Sequence, residues 1–175
     1  MKKILILFAV VGLTVFSSCE GPEGPPGEPG YNIVGTVYEN VEPNYYNFVA
    51  SSNPANNYRV RFTFPVTLVE SDVVLVYRLG GVENGRDVWE FLPETYYFDN
   101  GTRNFSFDYT FTKSYVDIYL NGNDLGSVLN SYRLNQIFRI VVVPADFAAS
   151  VNKNNYLDVM TKMNFKENQI QDIKF

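Results

Sequence analysis

Phe105, Phe107, Tyr109 and Phe111 alternate with Ser106, Asp108, Thr110 and Thr112, the longest unbroken period-two pattern in the chain. Side chains of a strand point alternately to its two faces, so such a run predicts a half-buried β-strand and excludes a helix at that place. The pattern recurs. Tyr58, Val60, Phe62 and Phe64 alternate with Asn57, Arg59, Arg61 and Thr63, which turns both arginines to water and puts Phe62, Phe64, Phe105 and Phe107 in the core. Val116, Ile118 and Leu120 follow the same rule, and residues 31–38 alternate as well. Two runs are nearly all apolar, Asp72 to Leu79 (DVVLVYRL) and Gln136 to Val143 (QIFRIVVV), as expected of central strands covered on both faces.

Between the runs stand turn formers. Gly80-Gly81 with Glu83-Asn84-Gly85, Asp99-Asn100-Gly101 and Asn121-Gly122-Asn123-Asp124 predict tight turns, and Pro65, Pro93 and Pro144 end strands. Further strands are expected at Asp87 to Leu92, Thr95 to Phe98 and Ile170 to Phe175. Only residues near the C-terminus read as helical: Asp146 is a candidate cap, and Tyr156, Met160 and Met163 share one helix face. Many short strands at regular spacing predict a single antiparallel β-sandwich, immunoglobulin-like or jelly-roll-like, over residues 31–175.

The first thirty residues carry a different message. Met1-Lys2-Lys3, an apolar run from Ile4 to Phe16 and Ser17-Ser18 before Cys19 have the order of a secretory signal. The run is short of the roughly 20 residues that span a bilayer. Phe16-Ser17-Ser18-Cys19 is similar to the lipobox of bacterial lipoproteins, with Phe16 where Leu is usual. That resemblance implies removal of residues 1–18 and lipidation of Cys19, the only cysteine. Residues 19–30 then form a leader. Gly21 to Gly30 reads as Gly-X-Y triplets with Pro and Glu, the collagen pattern, too short to hold a triple helix alone. The favoured reading is a polyproline II spacer, at about 3.1 Å per residue roughly 30 Å long; a short trimeric stalk stays open. Glu20, Glu23 and Glu28, interrupted by Gly and Pro, are in part similar to the acids that follow the lipidated cysteine in surface-exported lipoproteins of Bacteroidota, a resemblance that implies the outer membrane, on its periplasmic or surface face.

Charge and composition exclude several chemistries. The formal charge is −5, becoming about −7 once Lys2 and Lys3 leave with the signal, and no basic cluster offers counterion release to nucleic acid. There is no histidine and no cysteine beyond Cys19. A Ser-His-Asp triad, a Cys-His pair and imidazole or thiolate metal sites are therefore impossible. Asp87, Glu90, Glu94, Asp99, Asp108 and Asp117 could supply the carboxylate pair of a glycan hydrolase, but no two form a motif, and scattered acids on a sheet are normally solvated. Calcium, which needs only oxygen ligands, could use the Asn/Asp/Gly turns, yet none has EF-hand spacing and backbone reasons suffice for them. No metal, cofactor or catalytic residue is expected.

Aromatic residues are the remaining lead, since Tyr and Trp present rigid contact area to sugars and proteins. Tyr45 and Tyr46 in an Asn-rich loop, Tyr96 and Tyr97 near a strand end, and Trp89, the single tryptophan, are the candidate ligand-binding residues.

Cys19-Glu20-Gly21-Pro22, Ser71 to Tyr77, Asp87-Val88-Trp89 and Arg139 to Phe147 (RIVVVPADF) together carry a resemblance to uncharacterised collagen-like lipoproteins of Bacteroidota, particularly flavobacteria. The resemblance implies export and one domain, and assigns no residue except Cys19. The expectation is a non-enzymatic, lipid-anchored envelope protein that binds a polysaccharide or protein partner. A structural, oligomeric envelope component and a carboxylate-dependent glycan hydrolase are the alternatives.

Overall fold

A computed structural model describes residues 35–40, 48–54 and 56–175. The signal, Cys19, the Gly-Pro leader, and Tyr45 and Tyr46 lie outside the described residues. Nine strands are found among those described: β1 (Thr36–Asn40), β2 (Arg59–Thr63), β3 (Asp72–Glu83), β4 (Arg86–Phe91), β5 (Glu94–Tyr97), β6 (Arg103–Phe111), β7 (Tyr115–Gly122), β8 (Phe138–Pro144) and β9 (Gln171–Ile173). They make two sheets, a five-stranded one in the order β4-β3-β8-β1-β9 and a four-stranded one in the order β2-β7-β6-β5. The protein is thus an all-β, sandwich-like fold with few helices. All neighbours are antiparallel except one pair, since β9 runs parallel to β1 with Tyr38 opposite Gln171. A pattern of side chains along one strand says which face is buried, not which neighbour it takes.

The alternating runs behave as their periodicity dictates. Phe62, Phe105, Phe107, Val116, Ile118 and Leu120 point inward from the four-stranded sheet and meet Tyr38, Val74, Val76, Phe138, Ile140 and Val142 of the other. Phe64, just past β2, joins them. Aromatic edges fill the interior: Phe48 stands 5.6 Å from Phe107 and 5.9 Å from Phe138, both edge-on. Each fully buried side chain of this size contributes about 1.5–3 kcal/mol.

The five-stranded sheet is apolar on its second face too. Val37, Leu75, Tyr77, Val141 and Val143 are covered by α2 (Ala145–Ser150) and α3 (Tyr156–Lys162), following the short α1 (Asn130–Arg133). This double cover explains the continuous apolar runs of β3 and β8. In α3, Tyr156, Val159 and Met160 face the sheet, with Met163 just beyond its last turn. The Asn155 side chain caps α3 by accepting from the Asp158 amide at 3.1 Å.

Two local expectations are corrected. Gly80-Gly81 is not a turn: β3 runs through it with a bulge between Leu79 and Gly81, and the reversal comes at Asn84-Gly85, both at positive φ. Asp146 does not cap α2. Pro144 holds that position and Asp146 lies in the first turn, where its charge still suits the helix dipole. The Asp99-Asn100-Gly101 hairpin stands as expected, with Asn100 Oδ1 accepting from the Thr102 amide and hydroxyl.

Candidate functional site

The two sheets differ in what covers them. Both faces of the five-stranded sheet are packed by an apolar cluster, whereas among the described residues neither cluster lies on the outward face of the four-stranded sheet. Register fixes what that face shows. Arg61 lies opposite Asp117, Arg59 opposite Tyr119 and Thr63 opposite Tyr115 across β2 and β7. On the other side of β7, Asp108 faces Tyr119, Thr110 faces Asp117 and Ser106 faces Asn121.

Asp117 sits at the centre and is only 2% exposed. Two arginines roof it. Arg61 donates from Nε to Oδ1 at 2.6 Å and from Nη2 to Oδ2 at 2.7 Å, a two-pronged pairing. Arg59 Nη1 donates to the same Oδ2 at 2.8 Å. Burial works against the charged carboxylate, but the hydrogen bonds from Arg61 and Arg59 outweigh it and hold its pKa below the usual carboxylate value. Each guanidinium also lies over a ring, Arg61 3.7 Å above Tyr115 and Arg59 4.8 Å above Tyr119. Arg59 and Arg61 do face outward as their strand phase requires, yet they are pinned rather than freely solvated.

A second polar chain continues the face. Arg103 Nη2 donates to Ser106 Oγ at 2.6 Å, Ser106 donates to Asp108 Oδ2 at 2.9 Å, and Asn121 Nδ2 donates to that oxygen at 2.9 Å. The result is a hydrogen-bonded array of guanidinium, hydroxyl, amide and carboxylate groups.

The described aromatic candidates, Trp89, Tyr96 and Tyr97, are not brought together. Tyr96 faces inward, stacked on Phe105 at 4.8 Å and 11°. Its hydroxyl accepts from Arg78 Nη2 at 2.6 Å and donates to Glu94 Oε1 at 2.5 Å, so its polar group is spent inside the fold. Burial and the Glu94 bond push that hydroxyl's pKa well up. Around it Arg78 of β3 pairs with Glu94 of β5 through Nε–Oε2 at 2.8 Å and Nη2–Oε1 at 2.9 Å, an ion pair that joins the two sheets. Trp89 belongs to the helix-covered side, its ring 4.2 Å from the Arg139 guanidinium and 5.6 Å from Tyr156. Arg139 is further held by Glu39, Glu167 and the Tyr156 hydroxyl, which ties the sheet to its helical cover. Among the described candidates only Tyr97 is open, 64% exposed and paired in register with Arg103 at the margin of the free face.

Of the carboxylates available for hydrolysis, Glu94 and Asp117 are engaged by arginines and Asp108 by Ser106 and Asn121. A cleft of about 390 Å³ lies elsewhere, between the 65–69 loop, the start of β1 and the end of β8. No carboxylate beside Asp72 lines it.

The residues missed by aromatic reasoning are Arg59, Arg61, Asp117, Tyr115 and Tyr119. Part of their signal was present, since Tyr115, Asp117 and Tyr119 occupy the polar phase of an otherwise apolar strand and Arg59 and Arg61 stand two apart in another, but only the register brings the two together. No family model, curated protein or solved structure matches the chain.

Proposed function

We propose that this protein is a non-enzymatic recognition domain that grips a polysaccharide or protein partner with the open face of its four-stranded sheet. In this reading Cys19 carries the lipid anchor in the outer membrane, and the Gly-Pro segment sets the domain off from it. The finer fold reading, an immunoglobulin-like or jelly-roll-like sandwich, belongs to the same proposal. One observation carries it: the sheet face on which neither apolar cluster lies is also the one holding an ordered ion-paired and aromatic array.

The test is retention of the full chain, in detergent micelles, by immobilised glycans and by envelope extract. Loss of retention on changing Tyr119 to Ala, with unfolding unaltered, supports the open face. Retention unchanged by Tyr119→Ala and Thr110→Lys overturns it. Self-association in place of any retention would favour the structural role.

A further inference from the structure

The chemistry of the open face narrows its ligand, an inference that rests on the recognition reading above. Neutral sugars are bound by bare aromatic faces, but here the Tyr115 and Tyr119 rings are covered by guanidinia. What meets solvent is therefore cationic N–H beside the uncovered part of each ring. Arg59 and Arg61 share one carboxylate, so the cluster keeps a surplus positive charge. Asp117 cannot cancel more, being buried beneath them. Among the described residues Arg59 Nη2 and Arg61 Nη1 have no partner, and the Arg61 side chain is 46% exposed. Across the whole face stand Arg59, Arg61 and Arg103 against Asp108 and Asp117, on a chain whose formal charge is −5. A local cationic spot on an acidic protein acts at short range, because charge is screened over about 8 Å at physiological salt.

We propose that the Arg59–Arg61 pair recognises the carboxylate or sulfate groups of an acidic polysaccharide laid across β2, β7 and β6. The guanidinia are already fixed by Asp117 and the rings, so little side-chain freedom is lost on binding, and their planar forks match an oxyanion. The surrounding groups suit sugar hydroxyls: Thr63, Thr110 and Asn121 lie on the face, and Asp108 Oδ1 is free of partners among the described residues. An open sheet face leaves room for an extended polymer to lie across its strands.

The experiment measures binding of the full chain in micelles to polygalacturonate, alginate and carrageenan, with dextran and laminarin as neutral probes. We expect at least one acidic polymer to be bound about tenfold more tightly than either neutral one, and weakening with added salt. Polyuronate against carrageenan separates carboxylate from sulfate. Arg61→Gln should weaken binding about tenfold, Arg61→Lys less, and Lys162→Gln, which removes the same charge from α3 on the helix-covered side, should change nothing. Unfolding curves of each variant separate lost binding from lost fold. Neutral glycan retained and released by Tyr119→Ala would keep the open face and overturn its acidic ligand. Acidic polymer bound equally by Arg59→Gln, Arg61→Gln and Tyr119→Ala would overturn both. Binding of phosphatidylglycerol vesicles and of no polysaccharide would overturn the glycan assignment.

Discussion

Replacing Glu94 by Gln removes one charge from between the sheets and almost no volume. Arg78 is 6% exposed and its side chain 8%, so its guanidinium cannot turn to water without opening the sandwich. Burial alone would lower the Arg78 pKa, but the hydrogen bond and charge of Glu94 outweigh it and raise the pKa above its ordinary value. Without that carboxylate, Arg78 keeps Gln136 Oε1 at 3.1 Å, the Leu79 carbonyl at 3.2 Å and the Tyr96 hydroxyl, all neutral. Leaving one buried charge unpaired costs about 3–5 kcal/mol, and the 20% exposure of the Glu94 side chain places this case near the lower end. In thermal unfolding that is a drop of roughly 6–12 °C for a domain of this size. Urea unfolding gives the free energy directly. The double variant Arg78→Met with Glu94→Leu should return to within about 1 kcal/mol of the parent, because it removes both charges together. A Glu94→Gln loss below about 1 kcal/mol would refute the reasoning, for it would mean that the pair behaves like a solvated surface bridge.

Asp117→Asn gives a pH test. The Asp117 pKa is depressed in the folded protein, so its stabilising share is complete above the unfolded value of about 3.9 and is lost as pH falls through the lower folded value. The stability gap between parent and Asp117→Asn should therefore hold steady from pH 7 to about 5 and close only below about 4, as read by urea unfolding. Gly122→Ala should cost about 1–3 kcal/mol, since a Cβ there would stand 2.9 Å from the Asn104 carbonyl oxygen and 3.1 Å from Phe105 Cβ. Gly81→Ala, with nothing within 4 Å, should stay within about 0.5 kcal/mol by the same unfolding measurement. Tyr96→Ala should lose about 3–5 kcal/mol through its stacked ring and spent hydroxyl, while Tyr97→Ala loses less than about 0.5. Equal effects in denaturant would show that the inward and outward assignments of β5 are wrong.

The strand phases were open to reading because burial on one face imposes a period of two on the residues themselves. Phe62, Phe105 and Phe107 declare their direction without knowledge of a partner, and DVVLVYRL declares a double cover. What depends on partners was hidden. Arg78 and Arg139 interrupt apolar runs and look out of place until Glu94, Glu39 and Glu167 are brought beside them by pairing and by the C-terminal segment. Asp117 read as one scattered acid for the same reason, because its arginines reach it only through the β2–β7 register. The Gly80-Gly81 pair carried a turn signal that sheet pairing overrode with a bulge. Tyr96 shows the limit of composition: a tyrosine near a strand end has the same letters whether its hydroxyl faces water or an ion pair.

The position of β1 has a mechanical consequence. It lies inside the five-stranded sheet, held by β8 on one side and β9 on the other, and the chain reaches it from the N-terminal side at Gly35. Tension applied from that side along the strand axis would meet bonds that stand across it. They are loaded side-on and together instead of one at a time, so the strand resists as a ladder in shear and does not peel.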